Sequence, residues 1–271
     1  MSSSIKLATV VVCWYPNEEL LLNIDSYSKG SDFLFVWDNT PGGSPLIDTV
    51  IGATILNHGK QNMGLAYAYN RAIELATLRG ATHIMTMDQD SRFDNFSLFC
   101  TKIESFPESM VCPSINNLIS GDTVVPHAAQ SGCVFPLRMI QQVGGFREDF
   151  FIGMIDVEMQ MKAQEAGFKL IQIGCCRLFH HIGSERRVSI GGHSISVSDY
   201  SPLRHYYDSR NRILMWREFP NDYSFKGKIK HLLGRIKVII KIWLFENNKI
   251  AKSNAIIRGT WNGLLNIIKP F

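Results

Sequence analysis

The sequence predicts an α/β fold: one domain with a mainly parallel central sheet flanked by helices, plus a C-terminal helical extension. Short apolar runs rich in β-branched residues alternate with helical stretches through the first third of the chain. Polar and turn-forming residues follow each run, as they do where the strands of a parallel sheet end. The length of 271 residues suits one such domain with a small appendage.

The charge of the chain is distributed unevenly along it. Residues 1–200 carry 14 Lys/Arg against 20 Asp/Glu, whereas residues 201–271 carry 14 against 4, within a net charge of +4. A basic and apolar C-terminal end suits an anionic membrane surface or a phosphorylated ligand. Nucleic acid is not an expected partner, because basic residues are confined to this end and no nucleic-acid-reading module is recognisable.

The six cysteines lack the even spacing of a disulfide scaffold. No charged segment followed by an apolar signal core is present, so we expect a cytosolic, reducing location. Cys175 and Cys176 stand close to His180 and His181, but adjacent cysteines do not have the spacing of structural zinc ligands. Buried free thiols are the expectation.

The first two apolar runs each end in turn residues. Leu7–Cys13 predicts a strand buried on both faces, followed by a turn at Trp14–Glu18 and a helical stretch over 20–27. A second strand is predicted over 33–37, and it ends at Asp38–Gly43.

The next two strands follow the same arrangement. Residues 53–56 predict a strand that leads through Asn62–Gly64 into a helix over 65–78. Residues 82–87 predict a fourth strand, which stops at Asp88–Asp90. The polar groups of these segments are therefore expected at one edge of the sheet.

The pattern becomes less regular after residue 90. Short strands are predicted over 111–114 and 132–135, and a helix over 156–166 that Gly167 ends. The Ser-, Gly- and Arg-rich segment 184–200 is predicted to be a mobile loop.

A basic amphipathic helix is predicted from about residue 229. Its apolar residues recur at helical spacing with Lys and Arg between them. The stretch is too short and too charged to span a bilayer. A helix in the membrane interface and a helix packed on the domain both fit, and the one-sided charge favours the membrane.

Several strand ends carry side chains suited to a nucleotide ligand. Asp88 and Asp90 can point at one hard cation such as Mg²⁺ or Mn²⁺, although an acidic turn or helix cap is the favoured explanation for the pair taken alone. Asp38 can pair with a base or ribose, or simply close a turn. Arg71, after the loop-to-helix junction at Asn62–Gly64, can assist an anion held at the helix N-terminus, or be solvated.

The motifs stand in the order found in family 2 glycosyltransferases of the GT-A type, which the chain resembles over about residues 5–215. The matching segments are Val10–Glu18, Val36–Asn39, Asn62–Arg71, Met87–Ser91 and Gly144–Glu158. The segment Leu203–Asn211 resembles the bacterial rhamnosyltransferase branch.

The resemblance implies a domain arrangement. It divides the chain into a catalytic domain over 1–215 and a basic helical extension over 216–271. Within the catalytic domain, residues 1–92 would bind the nucleotide-sugar and residues 93–215 would carry the acceptor and catalytic part.

The resemblance also implies roles for individual residues. Donor binding is expected from Tyr15, Asn17, Glu18, Asp38, Asn39, Asn62, Gly64, Asn70, Arg71, Asp88 and Gln89. A Mn²⁺ or Mg²⁺ cofactor is expected on Asp88, Asp90 and His181. Contacts to the acceptor or the diphosphate are expected from Arg204, Tyr206, Arg210 and Asn211.

Asp156 matches the catalytic base of the family's Glu-Asp pair, with Ile155 in place of the Glu. Glu158 is the alternative base, or a second acid. The implied reaction is inverting transfer of a sugar, L-rhamnose from dTDP-L-rhamnose, to a glycan or lipid-linked acceptor. Its place would be the inner face of the bacterial cell membrane, in O-antigen or other surface polysaccharide synthesis.

Two alternative functions remain at this stage. A nucleotidyltransferase also uses carboxylates and a divalent metal, but normally shows a phosphate loop rich in Gly and Lys after its first strand, which Trp14–Glu18 does not. A non-catalytic module that binds nucleotide-sugar or membrane would keep the fold without turnover, and Ile155 favours that alternative.

Overall fold

The computed structural model describes residues 4–180, 186–190 and 193–271, which form two compact units. Unit 1 contains the described residues 4–148 and 155–180, and unit 2 contains 149–154, 186–190 and 193–271. The domain boundary expected near residue 215 stays a prediction.

Unit 1 is built on one sheet, in which one half is parallel and the other half is mixed. Its strands are β1 (Leu7–Cys13), β2 (Phe33–Asp38), β3 (Thr54–Leu56), β4 (His83–Asp88), β5 (Arg92–Phe93), β6 (Met110–Ile115), β7 (Thr123–Val124), β8 (Cys133–Pro136) and β9 (Leu170–Phe179). They lie in the order β3-β2-β1-β4-β8-β6-β9-β5, with β7 also pairing with β9. The first four strands are parallel, as are β6 and β9, while β8 runs antiparallel to both neighbours. The predicted α/β architecture is confirmed.

The described residues of unit 1 form five α-helices: α1 (Glu19–Ser28), α2 (Leu65–Leu78), α3 (Phe96–Glu104), α4 (Leu137–Val143) and α5 (Ile155–Glu165). The predicted bounds of α2 agree with the structure, and those of α1 and α5 agree to within a residue. The sequence did not predict α3, although Asn95 precedes it as an N-cap whose side chain accepts a hydrogen bond from the Leu98 amide.

The register of the parallel strands positions the polar strand ends. Cys13 at the end of β1 is level with Asp38 on β2, and Val12 is level with Asp88 on β4. The whole of β1 is buried, which explains its unbroken apolar sequence. Each fully buried valine contributes about 1.5–3 kcal/mol relative to an exposed one. This buried strand therefore fixes the two aspartates on either side of its carboxyl end.

Unit 2 contains a hairpin and three helices: β10 (Arg186–Ile190), β11 (His193–Val197), α6 (Pro202–Glu218), α7 (Phe225–Phe245) and α8 (Lys249–Leu264). The prediction of a mobile loop over 184–200 is wrong where the structure describes it, because β10 and β11 pair as antiparallel strands. The alternating β-branched residues Val188, Ile190, Ile195 and Val197 were the strand signal, and the Ser and Gly content obscured it.

Close packing of α8 on α6 depends on two glycines. A Cβ on Gly259 would collide with the backbone oxygen of Tyr206, and one on Gly263 would lie 2.9 Å from the Arg210 oxygen. Among the described residues, no helix has the length and apolar character needed to cross a membrane.

Candidate active site

Asp38 organises the turn after β2. Its side chain is fully buried, and its two carboxylate oxygens accept hydrogen bonds from the amides of Thr40 (2.8 Å) and Ser44 (2.9 Å). His58 Nδ1 lies 3.0 Å from Asp38 Oδ2, and the Asn57 side chain donates to the Asp38 backbone oxygen. Asp38 therefore shapes the loop at this strand end, and its direct pairing with a base or ribose stays a prediction.

Asn39 connects that turn to the loop before α2. Its buried Oδ1 accepts from the Met63 amide at 3.0 Å and from Trp37 Nε1 at 2.9 Å. Asn62 closes a local turn by accepting from the Gly64 amide at 2.8 Å. Gly64 has a φ of +82° at the N-cap of α2, a conformation that side chains other than glycine rarely adopt.

The loop after β1 is held against the segment after β4. Gln89 accepts from the Trp14 amide at 2.7 Å and donates to the Trp14 oxygen at 3.1 Å. The Tyr15 amide donates to the Thr40 hydroxyl, while the Tyr15 ring remains exposed. Asn17 and Glu18 are also exposed, just before α1. Their exposure leaves room for a ligand, and a ligand contact by these three residues stays a prediction.

Asp88, Asp90 and His180 form a group with the donor set of a divalent cation site. One ligand atom from each residue can be chosen so that all three lie within 4.8 Å of one another. His180 Nε2 is 3.8 Å from Asp88 Oδ2, and His180 Nδ1 is 3.3 Å from Asp90 Oδ1. Two carboxylates with one imidazole suit Mn²⁺ better than Ca²⁺, which prefers oxygen ligands alone.

Buried hydroxyls orient this histidine. Ser91 Oγ lies 2.8 Å from His180 Nδ1, and Ser131 Oγ hydrogen-bonds to Ser91 Oγ at 2.7 Å. Ser131 also accepts from the Asp88 amide at 3.0 Å. With Nδ1 facing Ser91, Nε2 is the nitrogen that faces Asp88, which is how outer hydrogen bonds usually direct a metal-binding histidine.

The neighbouring carboxylates change the protonation of His180. Burial lowers its pKa, but the hydrogen bond to Asp90 and the charges of Asp88 and Asp90 outweigh burial, so the pKa is raised above its ordinary value. A cation bound here would need a neutral imidazole as its ligand, so binding is expected to strengthen as pH rises. His181, the histidine predicted to reach the metal, lies outside the described residues.

Asn70 and Gly145 fix the segment that precedes α5. Asn70 accepts from the Phe146 amide and donates to the Phe146 oxygen, both at 2.8 Å, and donates to Glu148 Oε1 at 2.8 Å. A Cβ on Gly145 would lie 2.6 Å from Asn70 Oδ1, so this close approach requires glycine. Asn70 therefore has a positioning role in this structure.

Asp156 and Glu158 differ in accessibility at the start of α5. Asp156 is partly exposed, whereas the Glu158 side chain is buried and pairs with Lys162 Nζ at 2.9 Å. The hydroxyl of Tyr69 is fully buried, and burial raises its pKa, followed by the charges of Asp88 and Asp156. The charges of both carboxylates therefore disfavour ionisation of this buried hydroxyl.

Comparisons with known proteins agree with this geometry. No family model matches the chain. The dTDP-rhamnosyl transferase RfbF of Shigella flexneri is 25% identical over 235 residues, covering 76% of this chain and 77% of the relative. Two solved glycosyltransferase structures share the fold: GalNAc-T7 with UDP, GalNAc and Mn²⁺, and TarS of S. aureus.

The structural matches extend over most of the chain. GalNAc-T7 has a TM-score of 0.58 at 13% identity over 78% of this chain, and TarS has 0.52 at 11% over 98%. The chain spans about half the length of each, 48% and 44% respectively. The chain is a glycosyltransferase with the GT-A fold. The predicted resemblance and enzyme class are confirmed.

A cavity of about 350 Å³ lies at the β2 and β3 side of this glycosyltransferase, beside the Asp38 turn. Its aromatic walls are Trp37 and Tyr67, whose rings pack edge to face at 5.8 Å. Arg71 lies 5.1 Å over the Tyr67 ring and pairs with Glu74 at 2.9 Å. The volume is within the range of small-ligand pockets.

In unit 2 of the glycosyltransferase, three of the four predicted acceptor or diphosphate contacts are buried and bonded to backbone. Arg210 donates to the oxygens of Asp149 and Lys269, and Tyr206 donates to the Lys269 oxygen at 2.9 Å. Asn211 donates to three oxygens within 150–153. Their donors are therefore engaged in holding loops, which is a different role from the predicted ligand contact.

Arg204, the fourth, stacks 4.1 Å over the Tyr200 ring and is partly exposed, so a ligand contact by Arg204 stays a prediction. Sequence reasoning did not assign a role to His58, Tyr69, Ser91 or Ser131 in this glycosyltransferase. No local sequence signal favoured His180 over His181, because the place of His180 depends on the pairing of β9 with strands distant in sequence.

Proposed function

We propose that the chain transfers L-rhamnose from dTDP-L-rhamnose, with inversion, to a hydroxyl of a glycan or lipid-linked glycan acceptor. The observation that carries the reaction is the group of Asp88, Asp90 and His180 at the carboxyl end of β4, which has the donor set of a divalent cation site. The donor identity is supported by the relative named dTDP-rhamnosyl transferase.

Asp88, Asp90 and His180 would hold Mn²⁺ or Mg²⁺, in keeping with the Mn²⁺ of GalNAc-T7. A bound cation would neutralise charge that develops on the departing diphosphate. The chain's own groups prepare the site for it, because Ser91 and Ser131 fix His180 and the Asp88 backbone through hydrogen bonds.

The donor nucleotide would lie along the ends of β1, β2 and β4. The aromatic walls Trp37 and Tyr67, with Arg71, suit a base next to the Asp38 turn. Tyr15, Asn17 and Glu18 are exposed at the neighbouring strand end and can close over the nucleotide. These placements extend the donor-binding prediction made from sequence.

Asp156 would act as the base. It removes the proton from the acceptor hydroxyl while that oxygen forms a bond to the anomeric carbon. The bond from the anomeric carbon to the diphosphate oxygen breaks at the same time, and dTDP leaves with the electron pair. Glu158 is less suited, because it is buried and already paired with Lys162.

The place of action would be the inner face of the cell membrane, in surface polysaccharide synthesis. The support is the basic C-terminal end, where residues 201–271 carry 14 Lys/Arg against 4 Asp/Glu. A lipid-linked acceptor would be met at that surface.

Thermal denaturation with a panel of nucleotide-sugars tests the donor assignment, because a ligand bound only by the folded protein raises its stability. dTDP-L-rhamnose with Mn²⁺ should raise the melting temperature more than UDP- or GDP-sugars do. A single-turnover assay on bacterial membranes should then transfer the labelled sugar. A larger shift with a UDP-sugar would contradict the donor, and binding without transfer would favour the non-catalytic alternative.

A further inference from the structure

One side of α7 exposes a continuous apolar stripe. Its members recur at spacings of three or four residues, which places them on one side of the helix: Phe225, Ile229, Leu233, Ile236, Ile240 and Trp243. Phe225 is 78% exposed, so burial within the chain does not explain the pattern. Soluble proteins rarely leave a contiguous apolar surface of this kind uncovered, and a partner is therefore expected.

A row of lysines runs along one edge of this apolar stripe. Lys226, Lys230, Lys237 and Lys241 are all exposed, and helical spacing places them next to one another. From residue 225 to 271 the sequence contains ten Lys/Arg and a single acidic residue, Glu246. Glu246 is buried against Lys252 at 2.8 Å, so it does not reduce the positive charge presented to a partner.

A second apolar stripe lies on α8, formed by the exposed residues Ile250, Ile257, Trp261 and Leu264. The two helices are joined by a hydrogen bond from Trp243 Nε1 to Ser253 Oγ at 3.1 Å. Trp243 and Trp261 are 51% and 61% exposed. Tryptophan is favoured where apolar and wet surroundings meet, as at the surface of a bilayer.

Charge decides between a second copy of the chain and a lipid surface as the partner. The spacing from Ile229 to Trp243 also suits a coiled-coil seam. In such a seam Lys230 and Lys237 would flank the contact, and α7 offers no acidic residue to pair with them. A bilayer with anionic headgroups supplies both the apolar region and the negative charge.

We infer that α7 and α8 form a docking surface for an anionic lipid bilayer, with the apolar stripes in the headgroup and acyl boundary and the lysine row on lipid phosphates. The inference deepens the membrane location in the proposed function by naming the surface that meets the lipid, and it uses only residues of unit 2. It rests on the proposed function only in explaining how the enzyme would reach a lipid-linked acceptor at the membrane.

Sedimentation of the full chain with lipid vesicles tests the inference. The wild-type chain should bind vesicles of phosphatidylcholine containing phosphatidylglycerol, bind pure phosphatidylcholine much more weakly, and lose binding as salt screens the charges. Equal binding to both vesicle types, or none to either, would overturn the inference.

Two variants separate the lysine row from the apolar stripe. Lys230→Gln with Lys237→Gln should weaken binding roughly thirtyfold, because each basic residue near an anionic surface contributes about 1 kcal/mol. Ile236→Gln with Ile240→Gln should also weaken binding, and both positions are exposed, so folding should survive. Lys29→Gln with Lys169→Gln, two exposed lysines of unit 1, is the charge-matched control and should bind like wild type. Unchanged binding by the lysine-row variant would overturn the inference.

Self-association is measured on the same proteins without lipid. A wild-type dimer that becomes a monomer in the Ile236→Gln with Ile240→Gln variant would show that a second copy covers the stripe, and would overturn the lipid proposal. The melting shift by dTDP and Mn²⁺ reports on the donor site separately. If a variant loses vesicle binding but keeps the melting shift, only the docking surface has been affected. If the wild-type chain binds vesicles but shows no melting shift, the proposed reaction fails and the docking surface stands.

Discussion

At the scale of single residues, the accessibility of Asp156 distinguishes it from Glu158. Asp156→Asn should lower the turnover number about 10²- to 10⁴-fold, the usual contribution of a general base. Binding of dTDP and Mn²⁺ should persist, because the substitution leaves Asp88, Asp90 and His180 in place. Rapid-quench turnover and thermal shift on the same preparation check both expectations, and near-normal turnover would exclude Asp156 as the base.

Glu158 should behave as a structural group. Glu158→Gln replaces a buried carboxylate that pairs with Lys162 at 2.9 Å. The expected cost is about 2 kcal/mol in the free energy of unfolding, since hydrogen bonds to charged groups contribute about 1.5–3 kcal/mol. Turnover per folded molecule should stay close to wild type. Urea denaturation and active-site titration measure the two effects, and a collapse of turnover at full stability would reverse the assignment.

Asp208 should make the stability of unit 2 depend on pH. Burial raises its pKa, but Arg212 and Arg235, at 2.8 and 2.6 Å, outweigh burial, and the pKa lies below its ordinary value. A carboxyl of this kind stabilises the folded state above its unfolded pKa of about 3.9, and the contribution is lost as pH falls through the lower folded pKa. Asp208→Asn should therefore cost stability at neutral pH and progressively less in acid.

Denaturant unfolding across this pH range gives the measurement. Asp25→Asn is the matched control, because Asp25 also pairs with a residue four positions later, Lys29, but both side chains are exposed. If Asp208→Asn lowers the free energy of unfolding by the same amount at every pH down to the most acid one, the proposed role of the Asp208 charge is contradicted.

At the scale of elements, substitution by alanine is expected to have opposite effects on stability at two glycines of the C-terminal helices. Alanine normally stabilises a helix by about 1 kcal/mol over glycine. Gly234→Ala on α7 should show that gain, because its Cβ would meet no atom within 4 Å. Gly259→Ala on α8 should instead lose about 1–3 kcal/mol, because its Cβ would collide with the Tyr206 backbone oxygen.

Thermal and urea denaturation of the two variants provide an internal comparison. Each variant differs from wild type by one methyl group on a helical glycine, so the higher helix propensity of alanine contributes equally to both variants. A stabilised Gly259→Ala chain would show that α6 and α8 do not pack as closely as the structure has them.

The elements that could be predicted are those whose pattern is local. The strand β1 and the helix α2 follow from apolar runs and helical spacing, and the structure confirms them. The hairpin of β10 and β11 was missed because Ser and Gly outweighed its alternation. α8 lies within the predicted helical extension but was not delimited as a separate helix, because its buried side is formed by small residues such as Ala255 and Gly259, which give little apolar periodicity.

At the scale of the whole molecule, the sequence indicated the strand ends but not the network behind them. Asp38 and Asp88 could be placed at one edge of the sheet because parallel strands share that edge. The role of His180 depends on the arrival of β9 beside β6, and β9 is distant from β4 in sequence. Pairing between distant strands leaves no local sequence signal, which explains why the metal was expected on His181 and not on His180.

The structural roles of buried polar side chains also could not be predicted from the sequence. Arg210 and Asn211 were expected to contact a ligand because they lie in the segment that resembles the rhamnosyltransferase branch. In the structure both are fully buried, and their donors bind the oxygens of neighbouring loops. Such a role depends on which backbone groups lack partners in the folded chain, and sequence alone does not give that information.

The most direct test of the central claim is a titration of Mn²⁺ by electron paramagnetic resonance, with and without dTDP. We expect one Mn²⁺ per chain, bound more tightly when dTDP is present. Asp90→Asn should weaken it by at least about tenfold, since the loss of even an outer-shell partner of a metal ligand costs that much. Asp94→Asn, a nearby acid that pairs with Arg177 instead, should bind like wild type. Equal Mn²⁺ affinity in wild type and Asp90→Asn would contradict the proposed metal and donor site.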